Sequence, residues 1–159
     1  MMSTSKFASS VILCFLVAFA GSSVTMPSVL TWYVQLNKPF FSPPNWIFGP
    51  VWTILYLLMG ISLYLVWNKS LKNKIKEFQG IAIRVFIYQL ILNFLWSLVF
   101  FGLHNPFLAL ITIFALWLSI FTLIKYSYKV SKMSAYLLIP YIVWVSFASI
   151  LNLFIVILN

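Results

Sequence analysis

Acidic residues are almost absent: Glu77 is the only Asp or Glu in 159 residues, against 10 Lys and Arg. That absence excludes paired-carboxylate acid–base chemistry. With one histidine, His104, and one cysteine, Cys14, the chain also has no Ser-His-Asp set, no His/Cys metal cluster and no intrachain disulfide. Charge of either sign amounts to 7% of the residues, too little to clothe a soluble globular surface.

What fills the chain instead is apolar: 64% of the residues are hydrophobic and 19% aromatic. An integral membrane protein follows. The basic residues fall in short gaps between apolar runs and form no stripe on a polar domain, so no nucleic-acid partner is expected. A helix needs about 20 apolar residues to cross about 30 Å of hydrocarbon. Five segments meet that length, over about residues 7–25, 46–67, 81–101, 106–124 and 135–158. The predicted fold class is therefore all-α integral membrane, a five-transmembrane-helix bundle in one domain over 1–159, with an extended lid loop between the first two helices. A rival reading of the first run, Lys6 followed by Phe7 to Ala20 and ending in small residues before Gly21, is a cleavable signal peptide.

Five spans put Lys6, Lys69, Lys72, Lys74, Lys76, Arg84, Lys125, Lys129 and Lys132 on one side and leave Lys38 alone on the other. Lys/Arg-rich short loops favour the cytoplasm. The expected orientation is N-terminus in and C-terminus out, in a prokaryotic plasma membrane. Trp46 and Trp67 bracket the second span, and Tyr126, Tyr128 and Tyr136 lie near the basic side, where amphipathic rings prefer the interface. No repeat of helix pairs is visible, which disfavours an inverted-repeat transporter.

Polar residues within the spans follow helical spacing. Gln89, Asn93 and Ser97 recur every fourth residue on one face of the third span, with Trp96 beside them. Trp144, Ala148 and Asn152 do the same in the fifth, and Trp52, Tyr56 and Gly60 in the second. Interhelical hydrogen bonding accounts for such amides as readily as ligand contact does, and core packing accounts for Tyr56 and Gly60. If the faces converge, they and the Trp32, Tyr33, Pro39, Pro43 and Pro44 loop form a pocket for something large, planar and mostly apolar. His104, in the turn Gly102-Leu103-His104-Asn105-Pro106, reads as a solvated loop residue rather than a haem ligand.

Three ordered motifs, WYxxLxKPxxxPPxWxFGPVWTxLYxxMGxxxYLVW over Trp32–Trp67, QLxLNFxWSxxFF over Gln89–Phe101 and PYxxWxxFAxxLN over Pro140–Asn152, together resemble the TspO/MBR family of tryptophan-rich sensory and translocator proteins. The resemblance implies a five-helix membrane protein, often a homodimer, that binds tetrapyrroles such as protoporphyrin IX and haem as ligands, together with drug-like aromatics. It implies no required cofactor. Carried over motif by motif, the ligand-binding positions are Trp52, Asn93, Trp144 and Ala148, with Trp32, Tyr33, Phe48, Gly49 and Val51 at the lid and pocket mouth and Ser22 from the first span. No conventional catalytic set exists. Light- and oxygen-dependent porphyrin breakdown, proposed for some relatives, would rest on the indoles of Trp52 and Trp144; tetrapyrrole transport is a further alternative. Two departures limit the inheritance. Phe41 stands where many relatives carry Trp, and the C-terminal Leu151–Asn159 run lacks the Tyr and following Lys/Arg of the proposed cholesterol motif.

Overall fold

The computed structural model describes residues 3–159, Asn73 by its backbone alone. Helices α1 (Thr4–Leu30), α2 (Phe48–Trp67), α3 (Asn73–Ser97), α4 (Pro106–Val130), α5 (Lys132–Leu137) and α6 (Ile139–Leu158) make up most of it, with no strand among the described residues. Five stretches are long and apolar enough to cross a membrane: α1, Asn45–Trp67, Lys74–Gly102, α4 and Lys132–Leu158. The five-helix membrane bundle expected from the sequence is the fold. Large apolar side chains such as Phe114, Phe121 and Ile157 face outward, as a lipid-facing surface requires, while backbone polar groups are satisfied within the helices.

Helix ends follow local chemistry rather than hydropathy. The Ser3 side chain accepts from the Lys6 backbone N–H and starts α1 ahead of the apolar run. α3 begins eight residues before 81, because Lys74, Lys76 and Glu77 are good helix formers although they are not apolar. Asn105 caps α4 by accepting from the Leu108 N–H at 2.9 Å, with Pro106 in the first turn, where no N–H is needed. The last span is broken rather than continuous: Pro140 cannot donate to the preceding turn, and the Leu138 N–H turns to the Ala135 carbonyl at 3.1 Å. α5 and α6 meet at that break.

α1 packs on α2 and α3, α3 on α4, α4 on α6, and α2 on α5. The α1–α2 contact is backbone to backbone: a Cβ on Gly60 would lie 2.9 Å from the Val11 Cα, so only glycine fits at this crossing. α2 and α5 are joined by a reciprocal serine pair. The Ser62 hydroxyl donates to the Ser134 carbonyl, and the Ser134 hydroxyl donates to the Ser62 carbonyl, each at 3.0 Å.

The 31–47 connection is short 3-10 turns at Tyr33–Gln35 and Asn45–Ile47 with extended chain between. It is tied down near its middle. The Asn37 N–H donates to Asn159 Oδ1 at 3.0 Å, and Asn159 Nδ2 returns a bond to the Asn37 carbonyl at 3.1 Å. Phe41 packs edge-on against Phe147 and Phe154 of α6. The lid thus lies across the end of the bundle, held by the C-terminus. Burial pushes the Tyr33 phenol above its ordinary range, partly offset by Ser42, although neither hydroxyl reaches full hydrogen-bond geometry.

Candidate functional site

A cavity of about 350 Å³ lies where α1, α2 and the C-terminal end of α3 meet. Each helix supplies one face of period 3.6. From α1 come Phe15, Ala18, Phe19, Gly21, Ser22, Thr25, Met26 and Val29. Asn45 comes from the 3-10 turn before α2, Phe48, Gly49, Trp52, Thr53 and Tyr56 from α2 itself, and Asn93, Trp96, Ser97 and Phe101 from α3 and the π turn Leu98–Gly102 that follows it. The lining is mainly apolar, and its size falls within the range of about 300–1,000 Å³ usual for small-molecule sites.

Two indoles dominate one wall. Trp52 and Trp96 have centroids 6.4 Å apart and planes inclined by 33°. Tyr56 and Tyr141 pack on Trp52 at 5.7 and 6.3 Å, and Phe100 stacks on Trp96 at 5.6 Å. Behind this wall runs a hydrogen-bonded ladder. The Tyr56 hydroxyl donates to Asn93 Oδ1 at 2.6 Å, Asn93 Nδ2 donates to the Tyr141 hydroxyl at 2.8 Å, and Tyr141 donates to Gln89 Oε1 at 2.8 Å. Trp96 Nε1 donates to Asn152 Oδ1 at 3.3 Å, while Asn152 Nδ2 donates to the Pro106 carbonyl at 2.8 Å. The amides of Gln89, Asn93 and Asn152 therefore bind α2, α3, α4 and α6 to one another.

Among the ten positions carried over from the sequence, the structure brings Ser22, Phe48, Gly49, Trp52 and Asn93 to the cavity. It places the other five elsewhere. Trp144 packs edge-on behind Phe48 at 6.2 Å, its Nε1 buried without a partner. Ala148 is buried in α6, and Val51 packs on the core. Tyr33 is 1% exposed, against Phe48, Phe100 and Phe101. Trp32 meets Phe100 and His104. On the α6 side two rings stand in between: Phe48 covers Trp144, and Tyr141, itself on α6 and fully buried, packs against Trp52.

Sequence reasoning also left residues out. Thr25, Met26, Asn45 and Phe101 line the cavity, and the α1 members were findable, because 18, 22, 25 and 29 repeat the helical period. His104 is exposed, as a turn residue should be, yet it is not simply solvated. Its ring stacks on Trp32 at 4.5 Å and 17°, and its Nε2 lies 3.1 Å from the Ser28 hydroxyl, which donates to the Phe101 carbonyl. Its φ of 51° places it in the left-handed region. Lid start, α1 end and α3 end are thus joined at one ring.

The profile of the TspO/MBR family matches residues 10–158. The chain is 47% identical over 156 residues to the tryptophan-rich protein TspO of Archaeoglobus fulgidus, covering 97% of each chain. It is 35% identical over 134 residues to the human translocator protein, covering 84% of this chain and 78% of that one. The chain belongs to the TspO/MBR family. A further relative, the tryptophan-rich sensory protein of Cereibacter sphaeroides, is 31% identical over 138 residues, with 85% and 83% covered. The aromatic wall and the amide ladder are thus features of a TspO/MBR bundle, and the protein is an integral membrane protein.

Proposed function

We propose that this TspO/MBR protein is a membrane receptor or sensor that takes planar, mostly apolar ligands into the α1–α2–α3 cavity, tetrapyrroles such as protoporphyrin IX and haem foremost and drug-like aromatics second. The names of its relatives, translocator and sensory protein, support a role in sensing or moving a ligand at a membrane. The observation that carries the reading is the Trp52–Trp96 pair on the wall of an apolar cavity. Indole faces stack on flat π-systems, each contact adding roughly 0.5–1.5 kcal/mol beyond area burial.

Asn93 has both its amide atoms engaged in the ladder, so polar anchoring of a carbonyl or propionate falls to the Trp52 Nε1–H and the hydroxyls of Thr25 and Ser97. Phe48 lines the cavity and covers Trp144. A ligand larger than the cavity gains Trp144 and its unpartnered N–H when that ring swings aside.

Protoporphyrin IX titrated into the protein in nanodiscs tests the site. Trp52→Ala removes an aromatic face worth about 2 kcal/mol, so affinity falls roughly 30-fold; wild-type affinity in that variant contradicts the reading. A second reading, light- and oxygen-dependent breakdown of bound porphyrin, is favoured by the oxidisable Trp52 ring at the cavity. Product formation under light in Trp52→Phe and Trp144→Phe, compared with wild type, separates it from plain binding. Ion-coupled transport lacks a carboxylate within the bilayer, since Glu77 is exposed near the start of α3. The basic asymmetry of the connections supports an N-in, C-out orientation in a plasma membrane.

A further inference from the structure

A second cavity, also of about 350 Å³, lies on another face of α1, between Leu13, Val17 and Ala20 of that helix and Ile87, Ile91 and Phe94 of α3. It shares no residue with the ligand cavity. Both helices start on the basic side of the bundle, and the pairing of Leu13 with Ile87 and of Ala20 with Phe94 follows from their parallel course. The groove therefore has a defined lower end, and that end is charged.

Along α3, Lys76, Gly80 and Arg84 come at steps of four, and Ile87 and Ile91 follow Arg84 by three and seven residues, so headgroup-level cations and groove walls share one helix surface. Arg84 is exposed and makes no ion pair or hydrogen bond among the described residues. At Gly80 a Cβ would meet nothing within 4 Å, which leaves open space between the two cations. On α1 the exposed Ser9 continues the line below Leu13, while Lys6 turns away to the Trp67 carbonyl and ring. The surrounding segment carries Lys72, Lys74, Lys76 and Arg84 against Glu77 alone, four positive charges less one negative, a net +3.

An apolar slot ending in an unpartnered guanidinium at the interface matches one chemistry: a hydrocarbon chain joined to a phosphate. We propose that the α1–α3 groove is a binding site for an anionic glycerophospholipid, one acyl chain lying on Leu13, Val17, Ile87 and Ile91 and the phosphate held by Arg84 and Lys76 above Gly80. Arginine suits this place, because its fork pairs two phosphate oxygens while its stem lies along apolar surface. The rest of the basic segment draws anionic lipid to the surface.

Native mass spectrometry of protein released from nanodiscs of equal phosphatidylglycerol and phosphatidylcholine tests the site. Wild type retains phosphatidylglycerol in preference. Arg84→Gln, an exposed change that leaves folding and porphyrin titration intact, lowers that retention about fivefold. Ala20→Phe, which fills the groove without touching the charge, lowers retention of both lipids. Inorganic phosphate added in excess does not displace the bound lipid, because the acyl chain supplies most of the hold. The site is overturned if wild type shows no preference, if Arg84→Gln keeps it, if Ala20→Phe keeps the lipid, or if free phosphate displaces it. A lipid-free dimer that Ala20→Phe breaks overturns it too, assigning the groove to a second copy of the chain.

Discussion

Two neighbouring regions of the bundle treat polar groups in opposite ways. Between α2, α3 and α6, Tyr56, Asn93, Tyr141 and Gln89 pass hydrogen bonds along a closed line, with Tyr141 and Gln89 fully buried. Across Trp52, between α1, α2 and α3, the Thr25 and Ser97 hydroxyls and the Trp52 indole border a cavity. The first arrangement holds helices together, and the second leaves surface for another molecule. Hydrocarbon offers no water to satisfy a stray donor, so polar side chains in the spans are mostly saturated by the fold or border the cavity, with the buried Ser127 hydroxyl and Trp144 N–H as exceptions. Asn93 belongs to both regions by position and to the first by bonding.

The contrast breaks most severely at Tyr141. Tyr141→Phe removes a hydroxyl that accepts from Asn93 and donates to Gln89, leaving two buried groups unpaired at about 1–3 kcal/mol each. Thermal unfolding in detergent should show a clear loss of stability while the porphyrin affinity of the folded protein stays near wild type; an unchanged midpoint would mean the ladder is not what holds α6. Next comes Trp96→Ala, on the cavity side. Porphyrin affinity should fall roughly tenfold, about 1.4 kcal/mol, together with a loss of stability from the emptied core position and the lost Asn152 bond. The smallest effect belongs to Trp144→Phe. Its indole N–H has no partner, so removing that donor should change stability by under about 0.5 kcal/mol in either direction. A large loss of affinity for a small ligand in this variant would move the site toward α6.

Much of this was readable in the chain. Long apolar runs separated by basic gaps dictate five spans, and the every-fourth-residue spacing of Gln89, Asn93 and Ser97 marks a special face. Helix ends were less readable, because hydropathy reports where lipid begins, whereas Ser3 capping and the helix-forming Lys74–Glu77 segment decide where the helix begins. The site was readable on α2 and α3 and not on α6. Whether Trp144 or Tyr141 stands nearer the cavity depends on which ring fills the space between helices, and spacing along one helix is silent on that. The His104–Trp32 stack joins residues 72 positions apart, and only the packed α1 and α3 ends bring them together.

The central claim is that the open cavity between α1, α2 and α3 receives the ligand. Gly21 lines it, and a Cβ there would stand 3.6 Å from the Ser97 hydroxyl, an ordinary contact, so a larger side chain projects into the empty volume instead of displacing a helix. Protoporphyrin IX titration of Gly21→Leu beside wild type, with thermal midpoints recorded for both, is the most direct measurement. The account predicts affinity weakened at least about tenfold at an essentially unchanged midpoint. Wild-type affinity at a wild-type midpoint would contradict it.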